Sequence, residues 1–220
     1  GVGLEFTENP TIRKISFTGS TNVGRILMRN GADQIKKLSL ELGGNAPFIV
    51  FDDADLDAAV EGCVTSKFRN AGQTCVCTNR IYVQDAVYDA FVERLSKAVS
   101  SLQVGDGFLE GCAVGPLVSH SAMDKVRAHI DDALEKGGTV VLGGAPHDLG
   151  GTFFQPTVLR DATPQMAVAK EETFGPLAPV FRFSTLEEVV EAANDTEFGL
   201  ASYVYSRDLS RVWRMMEELE

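Results

Sequence analysis

The sequence predicts an α/β fold, a mostly parallel sheet flanked by helices. Two observations carry that expectation. Short apolar, strand-like runs alternate with segments of helical period almost from end to end. Helix-start residues stand where such an alternation needs them: Ser20/Thr21, Asp55, Ser119 and Thr185 each precede an apolar periodic run.

Taken in order, a strand at 15–18 leads through a Gly turn into a helix at 22–30. Strands come next at 37–42 and 47–51, then a capped helix at 56–70 and a strand at 81–84. Helices at 86–102 and 121–136 precede strands at 139–142, 157–159 and 179–183. A helix at 186–194, a strand at 202–205 and a helix at 209–219 end the pattern. Gly137-Gly138, Gly143-Gly144 and Gly150-Gly151 punctuate a hairpin or loop. The one break in composition that suits a domain boundary is Gly43-Gly44, dividing 1–42 from 43–220. The chain opens Gly-Val-Gly and stops inside a helical run, so it is expected to be part of a longer polypeptide.

With 220 residues, 44% hydrophobic and 23% charged, the composition suits a globular protein with a real core. A formal net charge of −11 repels phosphate backbones, and no Lys/Arg cluster offers a dock, so nucleic acid is not an expected partner. No apolar stretch approaches the roughly 20 residues that span a bilayer, and no signal peptide opens the chain. A protein without a membrane partner is expected, cytoplasmic or in an organelle reached by a segment outside this chain. Cys63, Cys75, Cys77 and Cys112 are spaced too irregularly for a disulfide scaffold or a zinc site, so reduced thiols and no metal are expected.

Two of those thiols stand in Arg69-Asn70-Ala71-Gly72-Gln73-Thr74-Cys75-Val76-Cys77, where a helix closes on a Gly and a small-residue loop begins. Substrate can reach a Cys so placed, although spacing alone favours a buried small hydrophobe. A nucleophilic thiol needs a base. His120 and His147 fall in polar turns and His129 on a helix surface or between helices, so all three read as solvated and the base is sought among carboxylates. Glu41 ends an apolar strand just before a Gly-Gly turn, where partial desolvation makes a carboxylate a better base near neutral pH. An exposed strand-end carboxylate is the plainer alternative. Ile15-Ser16-Phe17-Thr18-Gly19-Ser20, running into a helix with Gly24, is a strand–turn–helix unit whose amides suit a phosphate. Glu171-Glu172-Thr173-Phe174-Gly175-Pro176 combines a carboxylate for ribose hydroxyls with a ring for a flat heterocycle, or is an ordinary acidic loop.

In order and register, four of these motifs resemble the aldehyde dehydrogenase superfamily over essentially the whole chain: Phe17-Thr18-Gly19-Ser20 with Gly24, Leu40-Glu41-Leu42-Gly43-Gly44, Gly72-Gln73-Thr74-Cys75, and Glu172-Thr173-Phe174-Gly175-Pro176. The resemblance implies that Cys75 attacks an aldehyde to form a thiohemiacetal. Hydride then leaves to NAD or NADP, and water activated by Glu41 hydrolyses the thioester. It places Gly19, Ser20 and Leu42 along the dinucleotide, Glu172 on the nicotinamide ribose and Phe174 near the nicotinamide, with the backbone N–H of Cys75 as an oxyanion donor. It also implies a homodimer or homotetramer at full length, with 1–42 the last part of the dinucleotide-binding domain and 43–220 the catalytic domain.

Lys67-Phe68-Arg69-Asn70-Ala71-Gly72-Gln73-Thr74-Cys75-Val76-Cys77 is most similar to the succinate-semialdehyde dehydrogenases of that superfamily. By that resemblance Arg69 pairs with the distal carboxylate of the aldehyde, and Cys77 is a second thiol through which the loop can be oxidised. Glutarate semialdehyde or another ω-carboxy aldehyde is the alternative substrate. A thioester hydrolase using Cys75 and Glu41 is the alternative from another class.

Overall fold

The computed structural model describes residues 1–220. They form two compact units, Gly1–Gly43 and Gly44–Glu220.

The first unit runs α1 (Val2–Glu8), β1 (Lys14–Thr18), α2 (Thr21–Gly31) and β2 (Lys37–Glu41). β1 and β2 pair in parallel, Lys14 opposite Lys37 through Thr18 opposite Glu41. A parallel pair needs a crossover, which α2 supplies. Ser20 caps α2, its Oγ accepting from the Val23 amide. Gly24 is where that helix meets the chain leaving β2: a Cβ there would lie 2.8 Å from Leu42 Cδ2. The amide of Gly19 donates to the Glu41 carbonyl at 3.0 Å, fixing the turn against the end of β2.

The second unit is built on a six-stranded sheet in the order β5-β6-β7-β4-β3-β8. These are β3 (Ala46–Val50), β4 (Thr78–Gln84), β5 (Thr139–Leu142), β6 (Thr157–Ala162), β7 (Leu177–Phe183) and β8 (Tyr203–Tyr205). All neighbours are parallel except β5 and β6. The central strands β3, β4 and β7 are buried almost throughout, which is why β3, residues 81–83 of β4 and residues 177–181 of β7 read as apolar runs rather than alternations. Helices α3 (Leu56–Phe68), α4 (Tyr88–Ser100), α5 (His120–Glu135), α6 (Ala167–Lys170), α7 (Leu186–Asn194) and α8 (Leu209–Glu218) complete the unit. Asp55, Ser119, Thr185 and Asp208 cap α3, α5, α7 and α8 with side-chain oxygens.

Three differences from the sequence reading matter for the site. The helix expected to reach residue 70 stops at Phe68, because Asn70 (φ 50°), Ala71 (φ 56°) and Gly72 (φ 75°) are successively left-handed. β4 starts at Thr78, three residues before the apolar run: Thr78, Asn79 and Arg80 are polar but buried. Neither α1 nor the single turn of α6 was expected, since seven and four residues are too few to set a helical period.

Candidate active site

The first unit holds Gly19 and Ser20 at the β1–α2 turn and Glu41 and Leu42 at the end of β2. β2 alternates exposed and part-buried residues, and Glu41 falls on the exposed phase. The expected partial desolvation of its carboxylate is therefore not found in this chain.

In the second unit, three loops meet at one end of the sheet. Residues 44–45, 69–77 and 171–176 lead into β3, β4 and β7, three adjacent parallel strands, so the segments that carry Cys75 and Glu172 share the amino edge. Open α/β sheets more often bind ligands at the carboxyl edge.

The left-handed stretch after α3 redirects the chain, and Gln73 pins the loop in its new direction. Its amide nitrogen donates to the carbonyls of Asn70 (3.1 Å) and Pro116 (3.3 Å), and its Oε1 accepts from the Val118 amide at 2.8 Å. Two glycines lock this loop to its neighbours. A Cβ on Gly44 would lie 2.2 Å from the Cys75 carbonyl oxygen, and a Cβ on Gly72 2.1 Å from the Gly175 carbonyl oxygen. Only glycine permits such approaches.

All four cysteines are free thiols, and their surroundings separate them. Burial pushes Cys63 up to about 12, which makes it an inert core residue. Cys77 is buried, its sulfur 2.6 Å from Thr74 Oγ1, and Cys112 donates to the Gly105 carbonyl at 3.0 Å. Cys75 is half-buried and its thiol forms no hydrogen bond. Arg69 is exposed and has no carboxylate partner, so the surface salt bridge that could have explained it is absent.

Glu172 is half-buried, Oε1 accepting from the Gly44 amide at 3.1 Å. Burial raises its carboxyl above the usual range, against the opposing pull of that amide, Lys125 and Lys67. Phe174 is 37% exposed and left-handed at φ 53°. Behind this loop stands His129, which sequence reasoning took as solvated. It is 3% exposed, with Nδ1 3.1 Å from Thr173 Oγ1 and Nε2 3.4 Å from Glu171 Oε2. On α5 the 3.6-residue period turns position 129 inward with Met123, Val126, Ile130 and Ala133.

Lys67 also escaped the sequence reading, because a Lys in the last turn of a helix ordinarily lies in water. It is fully buried, donating to Asn79 Oδ1 at 3.4 Å. The Asn79 amide donates to Asn45 Oδ1 (2.9 Å) and the Glu171 carbonyl (3.3 Å), and Asn45 in turn donates to the Ala169 carbonyl (3.2 Å). A buried polar chain thus joins the last turn of α3 to the segment before Glu172. No group of three or more His, Cys, Asp or Glu side chains is placed to hold a metal ion, and no helix is long and apolar enough to cross a membrane.

The profile of the aldehyde dehydrogenase family matches residues 1–220, and the chain belongs to that family. It is 64% identical over 219 residues to the NADP(+) succinate-semialdehyde dehydrogenase GabD of Escherichia coli (strain K12), covering 100% of this chain and 45% of that protein. It is 63% identical to the glutarate-semialdehyde dehydrogenase of Pseudomonas aeruginosa, with the same coverage of each. The crystal structure of succinate-semialdehyde dehydrogenase from Burkholderia pseudomallei superposes with a TM-score of 0.98 at 63% identity, over 100% of this chain and 45% of that one. The α/β class with its mostly parallel sheet is thus established, and the chain spans about 45% of the length of the curated relatives it matches.

Proposed function

We propose that this chain is the catalytic segment of an NADP(+)-linked aldehyde dehydrogenase whose substrate carries a distal carboxylate, succinate semialdehyde before glutarate semialdehyde. The observation that carries the reading is the contrast among the thiols: Cys75 alone is both part exposed and uncommitted to a hydrogen bond. The names of the relatives support the substrate class and, for GabD, the cofactor.

The donor set fits a dinucleotide. Gly19 leaves the β1–α2 turn without a side chain, the first amides of α2 suit a phosphate, and Glu172 suits ribose hydroxyls. Leu42 and Phe174 supply apolar surface. When bound, the oxidised nicotinamide supplies a hydride acceptor.

The remaining roles fall to the chain. The Cys75 thiolate adds to the aldehyde carbon, and the Cys75 N–H donates to the resulting oxyanion. Once hydride has left, the acyl group remains on Cys75 as a thioester. Glu41 takes a proton from water as its oxygen attacks that carbonyl, releasing the acid and the thiol. Arg69, lacking any internal carboxylate, is available to pair with the far end of the substrate. When peroxide oxidises the Cys75 thiolate to a sulfenic acid, the Cys77 thiol, once its contact with Thr74 is released, attacks the Cys75 sulfur to form a disulfide and release water.

The test is initial rates of the full-length enzyme with succinate semialdehyde, glutarate semialdehyde and acetaldehyde, each with NADP(+) and NAD(+). A higher kcat/KM for acetaldehyde than for either acid overturns the substrate class, and ester hydrolysis without any dinucleotide reduction supports the hydrolase.

A further inference from the structure

The loop that carries Glu172 has no regular secondary structure to hold it. It lies between α6 and β7, is extended at Glu171 (φ −113°, ψ 139°) and turns left-handed at Phe174, a non-glycine residue. A left-handed side chain of this kind persists only where neighbours over-determine it. Lys125 Nζ donates to the Glu172 carbonyl at 2.5 Å, and a Cβ on Gly175 would meet Val126 Cγ2 at 2.4 Å, so α5 is the wall behind the loop.

His129 is the one side chain on that wall that grips both neighbours of Glu172. Its Nε2 lies 3.4 Å from the Glu171 carboxylate and its Nδ1 3.1 Å from Thr173 Oγ1, itself 1% exposed. A carboxylate only accepts, so Nε2–H donates to Glu171 and Nδ1 accepts from the Thr173 hydroxyl. A single neutral ring thereby fixes the backbone on either side of the carboxylate. The charged groups about the ring are Glu171, Lys125 and Asp132, and burial holds its pKa below the ordinary value, as a neutral ring with one donor and one acceptor requires.

We propose that His129 is a positioning residue for dinucleotide binding, the imidazole straddling residues 171 and 173 so that Glu172 is presented to the nicotinamide ribose. The proposal rests on the ribose role given above to Glu172. His129 touches neither substrate nor cofactor.

The experiment measures NADPH binding by its fluorescence, KM for NADP(+), KM for the aldehyde, and dinucleotide-free ester hydrolysis in the full-length protein. His129→Leu and Thr173→Val are compared with wild type, alone and combined. Each single variant is expected to weaken NADPH binding and raise KM for NADP(+) about fivefold or more, the worth of one buried hydrogen bond. The aldehyde KM and ester hydrolysis are expected to stay within about twofold. The double variant is expected to be no worse than His129→Leu, because both changes remove the same contact. Should His129→Leu fold poorly, Thr173→Val, which keeps the side-chain shape, still decides the point. Unchanged NADPH affinity in the variants overturns the proposal, as does an equal loss in all four measurements. A wild type that binds NADPH but oxidises no aldehyde overturns the catalytic reading alone. One that binds no NADPH overturns both.

Discussion

Gly44 lies directly against the carbonyl of Cys75: a Cβ on Gly44 would stand 2.2 Å from that oxygen, and the Gly44 amide simultaneously donates to Glu172 at 3.1 Å. One residue without a side chain therefore sets the distance between the thiol loop and the carboxylate loop. Gly44→Ala must push the Cys75 backbone away, because a carbonyl oxygen is not the flexible end of a side chain. The expected outcome is a loss of 1–3 kcal/mol in stability, roughly that of overpacking, together with slower acylation of Cys75. The rate of iodoacetamide labelling at residue 75 checks the second part, and labelling at the wild-type rate would show that the loop absorbs the methyl elsewhere.

Cys75→Ala is expected to abolish aldehyde oxidation and ester hydrolysis together, whereas Cys63→Ser and Cys112→Ser keep the active site intact. The distinction comes from burial: Cys63 is held near 12 in the core, and Cys112 is tied to Gly105. Cys63→Ser does put a hydroxyl into that core and should cost stability. Turnover by Cys75→Ala within tenfold of wild type would transfer the nucleophile to another group.

The contrast between what could and could not be read from the sequence has a physical origin. Helix caps and continuous apolar strands are local signals, so the sheet, its order of elements and the positions of Glu41, Cys75 and Glu172 in that order were legible. Buried polar residues were not. Lys67, Asn79, Arg80 and His129 look like solvent-facing residues in a one-dimensional pattern. They are inside only because partners 12 or more positions away satisfy them: Asn79 for Lys67, Asn45 for Asn79, Ala193 for Arg80 and Thr173 for His129. The left-handed turn at Asn70 and Ala71 was hidden for a similar reason, since nothing about Ala71 signals a positive φ, and contacts such as Gly72 with Gly175 form only in the fold.

Glu41→Gln separates the two halves of the proposed reaction. An amide cannot take the proton from the hydrolytic water, so deacylation should slow by about 10²–10⁴-fold while the first turnover of dinucleotide reduction survives. Rapid-mixing measurements should then show a burst of NADPH of about one equivalent. A steady rate equal to wild type without a burst would assign the base elsewhere.

Arg69 offers a guanidinium with no carboxylate partner in this chain, six positions before the nucleophile. Arg69→Ala should raise KM for succinate semialdehyde by about 10- to 100-fold, the range for a charge-assisted hydrogen-bonded pair. For an uncharged aldehyde of similar length the change should stay within about threefold. Equal effects on both would make the residue structural.

Lys67 yields a pH-dependent prediction whose sign is fixed by its burial. Desolvation lowers its ammonium from 10.5 to about 8, outweighing the favourable field of Cys77, Cys63 and Glu172. Between pH 8 and 10.5 the unfolded chain holds a proton on this amine that the folded protein has released. Stability therefore rises with pH across that window and is lost again as pH falls from 10.5 to 8. The full swing is on the order of 3 kcal/mol for a shift of this size. Lys67→Met keeps the length of the side chain and removes the titration, although it leaves Asn79 Oδ1 without this donor. Other lysines and tyrosines titrate in the same range in both proteins, so the quantity to follow is the difference in urea midpoint between wild type and Lys67→Met. That difference should move in favour of wild type on going from pH 8 to pH 10. A difference independent of pH would mean that Lys67 keeps an ordinary amine pKa in the folded protein, despite its burial beside Asn79.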